Sequence, residues 1–162
     1  MTIVFICVII RYLKKTRRAP TAQGRKKMYT IDISRINFER TYKINGQHLE
    51  QKMRYVLTGK IEKADNIAYN MGADCLNYQI KSARATICRG KDIREYLSKD
   101  KASEYIYITK NEIAYIMSRE EYIAFAETFG TITRESTKNG GHEKTRFGHE
   151  TTKMLQWLSE RA

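Results

Sequence analysis

The residues whose types and spacing could do hydrolytic chemistry lie in the segment Asn77-Tyr78-Gln79-Ile80-Lys81-Ser82. Apolar and polar residues alternate from 76 to 81, so a strand here buries one set and holds Gln79 and Lys81 together on the other face. An amide oxygen can bind a hard metal ion, and a lysine beside it can balance negative charge on a phosphate. The pair therefore indicates phosphoryl chemistry.

The acid-or-amide, any residue, lysine tripeptide is short, and it occurs twice, at Glu50-Gln51-Lys52 and at Gln79-Ile80-Lys81. The first copy lies in a helical pattern, where its two ends point in different directions. The second lies in an apolar strand, where its ends share a face. Only the second copy is a candidate site.

A metal ion at this strand needs a further oxygen ligand, and two aspartates compete for that place. If residues 74 to 79 are extended, the Cα atoms of Asp74 and Gln79 lie roughly 16 Å apart at about 3.3 Å per residue. A hairpin turning at residues 71–73 would instead lay Asp65 opposite Gln79, at the roughly 5 Å spacing of cross-strand partners. We therefore predict Asp65 as the ligand, with Asp74 in reserve.

Glu50 is a second candidate carboxylate. The sequence predicts a helix from Asn45 to about Thr58, ended by Gly59. Its buried stripe comprises Leu49, Met53, Val56 and Leu57. Glu50 borders that stripe and could lean toward the sheet, or it could pair with Arg54 four residues on.

The order of Glu50 on a helix, Asp65, and a Gln79-x-Lys81 strand resembles the PD-(D/E)XK nuclease superfamily, over roughly residues 45 to 110. It is most similar to the members with Gln in place of the second acid, such as Mrr-type restriction enzymes and some small homing endonucleases. The resemblance implies an α/β (α+β) fold with a restriction-endonuclease-like core, in which helices flank a mixed β-sheet built from helix, three-stranded meander, helix and strand. It also implies catalysis by Glu50, Asp65, Gln79 and Lys81.

In such a site the implied cofactor is Mg²⁺, with Mn²⁺ tolerated, held by Asp65, Gln79 and Glu50, while Lys81 lies near the attacking water. The expected function is a Mg²⁺-dependent DNA endonuclease of the restriction, homing or junction-cleaving type, from a mobile element or a defence system. The sequence does not distinguish DNA from RNA. The alternatives are a non-catalytic nucleic-acid-binding protein and a protein directed to a partner or a membrane by its first residues. No Ser-His-Asp, P-loop or dinucleotide-binding pattern competes.

The net charge of +12 is unevenly distributed along the 162 residues. Eight of the 30 basic residues lie in residues 1–27, which contain no acid, so residues 28–162 hold 22 basic and 18 acidic side chains. We expect residues 1–27 to be a flexible basic leader and residues 28–162 to form a single domain. Local groups for nucleic acid are expected in Ser82 and Arg84, and in a polar loop over residues 136–146 with Lys138, Lys144 and Arg146.

The three cysteines show no C-x-x-C spacing and the histidines are scattered, so neither a zinc site nor a disulfide framework is indicated, and a cytoplasmic protein is expected. The apolar run at residues 3–10 is far shorter than the roughly 20 residues that span a bilayer as a helix. We expect no stable membrane insertion. A homodimer or higher homo-oligomer is expected, because two sites must meet two DNA strands.

Further elements follow from local patterns. A strand-turn unit is predicted from Met28 to Phe38, a hairpin over residues 64–88 and a brief helix from Asp92. A second hairpin is predicted from residues 104–109 and 112–117. A capping box of Ser118 and Glu121 opens a helix through Phe129, an edge strand spans residues 131–134, and a closing helix from Glu150 packs Trp157 into the core or a dimer contact.

Overall fold

The computed structural model describes residues 28–37, 45–60, 73–136 and 141–162. Within them the chain forms, in order, β1 (Tyr29–Asp32), α1 (Asn45–Thr58), β2 (Tyr78–Ser82), β3 (Thr86–Arg89), α2 (Ile93–Ser98), β4 (Glu104–Ile108), β5 (Ile113–Ser118), α3 (Arg119–Phe129), β6 (Gly130–Glu135), β7 (His142–Phe147) and α4 (Thr152–Ser159). The fold is mixed α+β, with helices flanking two sheets.

The first sheet has the order β1-β5-β4-β2, in which β2 runs parallel to β4 and the other pairs are antiparallel. One of its faces carries isoleucines such as Ile80 and Ile106, which pack with Met53 of α1 in a single hydrophobic cluster. Residues of a strand alternate between the faces, so Gln79 and Lys81 lie on the opposite face, in register with two tyrosines of β4.

The second sheet has the order β3-β7-β6 and is antiparallel throughout. Phe147 of β7 joins it to the first sheet, because its ring contacts those of Tyr107 in β4 and Phe125 in α3 at centroid distances of 5.0 and 5.1 Å. Trp157 of α4 packs on Phe125 at 5.3 Å. The main core therefore lies between the two sheets and is closed by α3 and α4.

Strong local signals gave correct elements. The β4–β5 hairpin pairs Ile106 with Ile116, and its turn includes Glu112 at a φ of 63°. The capping box at the start of α3 is complete, since Ser118 Oγ accepts from the Glu121 amide and the Glu121 carboxylate accepts from the Ser118 amide. Trp157 is partly buried and packs against the main core.

Two predicted elements differ from the structure. The second half of the predicted 64–88 hairpin is divided between β2, which pairs with β4, and β3, which pairs with β7. Its first half, residues 64–72, lies outside the described residues, as do residues 1–27. Residues 142–146 of the polar loop predicted over residues 136–146 belong to strand β7, because Thr145 and Phe147 alternate inward against the core and offset its polar composition.

Among the described residues, no helix combines the length and the apolar character needed to cross a bilayer.

The strand-turn unit predicted after Met28 is present as β1 followed by a turn. Asp32, the last residue of β1, accepts hydrogen bonds from the amide and hydroxyl of Ser34, at 2.9 and 2.6 Å, and so stabilises this turn.

Candidate active site

Strand β2 presents Gln79 and Lys81 to an open cleft of about 210 Å³ between the two sheets. One set of polar lining residues comes from the turn before β2, from β2, from the segment before β4, from β4 and from α3: Asp74, Gln79, Lys81, Asp100, Tyr105 and Tyr122. Strand β3 forms the opposite wall with Thr86, Ile87, Cys88 and Arg89. The prediction that Gln79 and Lys81 share one face is therefore confirmed by the sheet.

Asp74 reaches the cleft through a tight turn over residues 75–78. The amide of Asp74 donates to the Tyr78 carbonyl at 2.9 Å, the amide of Tyr78 donates to the Cys75 carbonyl at 2.9 Å, and Leu76 has a φ of 52°. The chain is reversed here, not extended. The expected separation of roughly 16 Å between Asp74 and Gln79 is therefore wrong.

The carboxylate of Asp74 is hydrogen-bonded to two residues of β2. Its Oδ2 accepts hydrogen bonds from the Ile80 amide at 2.8 Å and from Lys81 Nζ at 2.9 Å. Both charged side chains are 22% exposed. Because the pair is partly shielded from water, its attraction exceeds that of a surface ion pair, and it fixes the Lys81 ammonium beside Gln79.

Asp100 is a second carboxylate of the cleft, and the sequence reasoning missed it. Burial raises the pKa of Asp100, while the Ala102 N–H bond at 3.1 Å and then the positive charges of Arg119 and Lys81 act in the opposite direction. Arg119 holds this segment by donating to the carbonyls of Asp100 and Ala102, at 2.5 and 2.7 Å. No local motif marks Asp100, since it enters the cleft only because β4 lies beside β2.

Two tyrosines form the floor of the cleft. The rings of Tyr105 in β4 and Tyr122 in α3 stack with centroids 4.6 Å apart, and their residues are 0% and 1% exposed. Burial, followed by the charge of Asp100, raises the pKa of Tyr105 to about 12. Burial also raises the pKa of Tyr122 far above its ordinary value. Both hydroxyls therefore stay protonated at neutral pH and can donate hydrogen bonds.

Glu50 is not among the residues that line the cleft. Arg54 Nε donates to Glu50 Oε1 at 3.1 Å, so Glu50 forms the helical ion pair that was the alternative expectation. Helix α1 covers the Ile80 face of the sheet, which is the face opposite to Gln79 and Lys81. Asp65, the predicted first ligand, lies outside the described residues.

The donor atoms of the cleft suit a hard, oxygen-binding cation. No group of three His, Cys, Asp or Glu side chains that could hold a metal ion occurs within the part of the chain that the structure describes. The cleft does bring together the carboxylates of Asp74 and Asp100 and the Gln79 amide. Mg²⁺ fits this set, because it usually takes one or two protein carboxylates and completes its shell with water and substrate phosphate.

The predicted nucleic-acid residues are dispersed. Ser82 is buried at 8% exposure, on the same side of β2 as Ile80, so it cannot serve an external ligand. Lys144 is largely shielded and pairs with Glu135 at 2.8 Å. Lys138 lies outside the described residues.

The remaining basic side chains form a surface beside the cleft. Arg84 is exposed and contacts a ring nitrogen of His149 at 2.8 Å, and Arg146 donates to the Arg84 carbonyl at 3.5 Å. Arg89, which the sequence reasoning missed, is exposed, pairs in register with Lys144, and also lines the cleft. We call Arg84, Arg89 and Arg146 the basic face.

No protein family model, no curated protein and no solved structure matches this chain.

Proposed function

We propose that this chain is a Mg²⁺-dependent endonuclease that hydrolyses DNA phosphodiester bonds in the cleft on β2. The observation that carries the proposal is the Lys81 ammonium, held 2.9 Å from the Asp74 carboxylate and on the same strand face as Gln79. An acid, an amide and a lysine in this order are the residues of the Gln-x-Lys nucleases that the sequence resembles. In this proposal Asp74 takes the place of the acid for which Asp65 was the first choice.

Each side chain has a role that its surroundings support. Asp74, Asp100 and Gln79 would hold the cation. When bound, Mg²⁺ supplies Lewis acidity and a more acidic bound water. Lys81 donates to a non-bridging phosphate oxygen and balances the negative charge that develops there.

The basic face supplies the attraction for the DNA backbone. Arg89 belongs both to this face and to the cleft wall, so it would connect a DNA strand bound by Arg84 and Arg146 to the cleft that contains Lys81. The proposal also includes a homodimer, since two such clefts would be needed to cut both strands. A cytoplasmic site of action is part of the same proposal.

The proposal is tested by nicking of supercoiled plasmid, scored as conversion to open circles. The intact chain should nick in MgCl₂ or MnCl₂, and EDTA should stop it. Lys81→Ala should reduce the rate by at least roughly 100-fold, the loss typical for one donor to a developing negative charge. The matched control is Lys99→Ala, which removes an exposed lysine of the same charge paired with Glu95. Absence of nicking with both metals, or equal rates in Lys81→Ala and wild type, would overturn it.

A non-catalytic nucleic-acid-binding protein is the second candidate. It is favoured by the basic face, in which Arg84 and Arg89 are exposed and which needs no metal to attract phosphates. This alternative expects salt-dependent DNA binding that is the same in wild type and in Lys81→Ala, and cleavage by neither.

A further inference from the structure

The hydroxyl of Tyr122 is buried at the cleft without a hydrogen-bond partner among the residues that the structure describes. Its side chain belongs to a residue that is only 1% exposed. The Tyr105 hydroxyl, on the stacked neighbouring ring, lies near Asp100 and Arg119 but makes no hydrogen bond of normal geometry to either. Two buried hydroxyls thus meet at one cleft.

A buried hydroxyl that loses its bond to water and gains none from the protein destabilises the fold. Phenylalanine at position 122 would keep the ring contacts with Tyr105 and Phe147 without this cost. The arrangement is understandable if the hydroxyl donates to a ligand, because the cost in the empty fold is then offset on binding. Functional sites are where such unsatisfied groups are expected.

The size of the cleft limits what that ligand can be. Its volume of about 210 Å³ lies below the roughly 300 Å³ at which pockets for whole small molecules begin. The cleft is also open on one side, where Arg89 continues onto the basic face. These features fit one charged group of a longer polymer, not an enclosed metabolite.

Charge limits the ligand further. Asp74 and Asp100 repel an anion, Lys81 is already paired with Asp74, and Arg89 is an exposed residue of the opposite wall. A phosphate would therefore enter together with a divalent cation held by the two carboxylates. Its oxygens would then face the tyrosine floor on one side and Lys81 on the other.

We propose that Tyr122 is a positioning residue whose hydroxyl, beside that of Tyr105, donates a hydrogen bond to a non-bridging oxygen of one nucleic-acid phosphate bound with a divalent cation. This inference deepens the proposed function and rests on it for the phosphate. Tyr122 does not act as a base or a nucleophile, since burial keeps its hydroxyl protonated.

The experiment compares wild type with Tyr122→Phe by calorimetric titration of thymidine 5′-monophosphate in MgCl₂. We expect binding by wild type only when Mg²⁺ is present, and an affinity at least roughly 10-fold lower in Tyr122→Phe, as for a lost bond to a charged group. The thermal midpoint of the unliganded variant should be equal to or higher than that of wild type. The matched control is Tyr107→Phe, which removes a buried hydroxyl that contacts Met154 Sδ at 3.7 Å and should leave the affinity unchanged.

Equal affinity of wild type and Tyr122→Phe, no binding by wild type, or a lower thermal midpoint with unchanged affinity would each overturn the inference. The last result would show that the hydroxyl has a structural partner. Plasmid nicking separates the two proposals. If the affinity depends on Tyr122 but the protein never nicks DNA, the endonuclease proposal is wrong and the phosphate site is retained. If Tyr122→Phe nicks DNA at the full rate, only the role of Tyr122 is wrong.

Discussion

Lys81 Nζ lies 2.9 Å from Asp74 Oδ2, and each of the two side chains is 22% exposed. They stand seven positions apart in the chain and meet because a turn over residues 75–78 brings Asp74 back beside β2. The pairing determines the direction of Lys81, which is the only cationic side chain of β2.

Asp74→Asn should reduce metal-dependent cleavage by at least roughly 100-fold while costing only about 1 kcal/mol in the free energy of unfolding. Asparagine keeps an oxygen that can accept the Ile80 N–H, but it loses the charge that would bind the cation and fix Lys81. The measurements are nicking rates and urea unfolding. Asp92→Asn is the matched control, since Asp92 caps α2 and asparagine caps equally well. Full nicking by Asp74→Asn would show that this carboxylate is not part of the site.

The stability of the fold should depend on pH through Asp100. Because burial raises the folded-state pKa of this carboxyl above its unfolded value near 3.8, the folded state binds more protons than the unfolded state between those two pKa values. The contribution of Asp100 to stability is therefore present below pH 3.8 and lost as the pH rises through the folded pKa.

The difference in free energy of unfolding, Asp100→Asn minus wild type, should therefore be more positive at pH 7 than at pH 3. Urea unfolding at the two pH values measures this difference. Asparagine retains an acceptor for the Ala102 N–H, so the comparison isolates the charge. If that difference were instead more positive at pH 3, the charges of the neighbouring Arg119 and Lys81 would outweigh the effect of burial on the pKa of Asp100.

The basic face should govern affinity for DNA and leave the chemistry intact. Arg89→Ala and Arg146→Ala should each weaken duplex binding and reduce the slope of log affinity against log salt by about 0.9. Fluorescence anisotropy of a labelled duplex over a salt series gives both quantities. Arg94→Ala is the control, because Arg94 lies on α2 and pairs with Glu120 and Glu127. If the slope of log affinity against log salt is unchanged in both variants, DNA binds at a surface other than the basic face.

Ser118→Ala should destabilise the protein by about 1 kcal/mol, because it removes the side chain that accepts from the Glu121 amide at the start of α3. For a chain of this length that loss lowers the thermal midpoint by roughly 2–4 °C. Calorimetry checks it, with exposed Ser98→Ala as the comparison. A midpoint equal to that of wild type would mean that tertiary contacts alone fix this helix.

Elements with dense local signals could be predicted from the sequence. The isoleucine and tyrosine alternation of β4 and β5 and the capping box at Ser118 are decided by residues close in the chain. Strand β7 could not be predicted in the same way, since its residues are mostly polar. Its strand conformation depends on pairing with β3 and β6 and on contact of Phe147 with Tyr107 and Phe125.

The candidate site also combines residues that local sequence patterns predict with residues that only long-range packing brings in. Gln79 and Lys81 share a face because strand periodicity requires it, and that much follows from the sequence alone. The approach of Asp74 depends on a turn without glycine or proline, in which Leu76 takes a left-handed φ of 52°. Asp100 and Tyr122 arrive through long-range packing of β4 and α3, for which no local spacing exists.

The central claim is that Lys81 takes part in cleavage and not merely in binding. The most direct test measures, on one preparation of Lys81→Met, the nicking rate in MgCl₂ and the dissociation constant for the same DNA in CaCl₂. We predict a rate reduced by at least roughly 100-fold with a dissociation constant within about 3-fold of wild type. A rate and a dissociation constant that both stay at the wild-type values would contradict the claim.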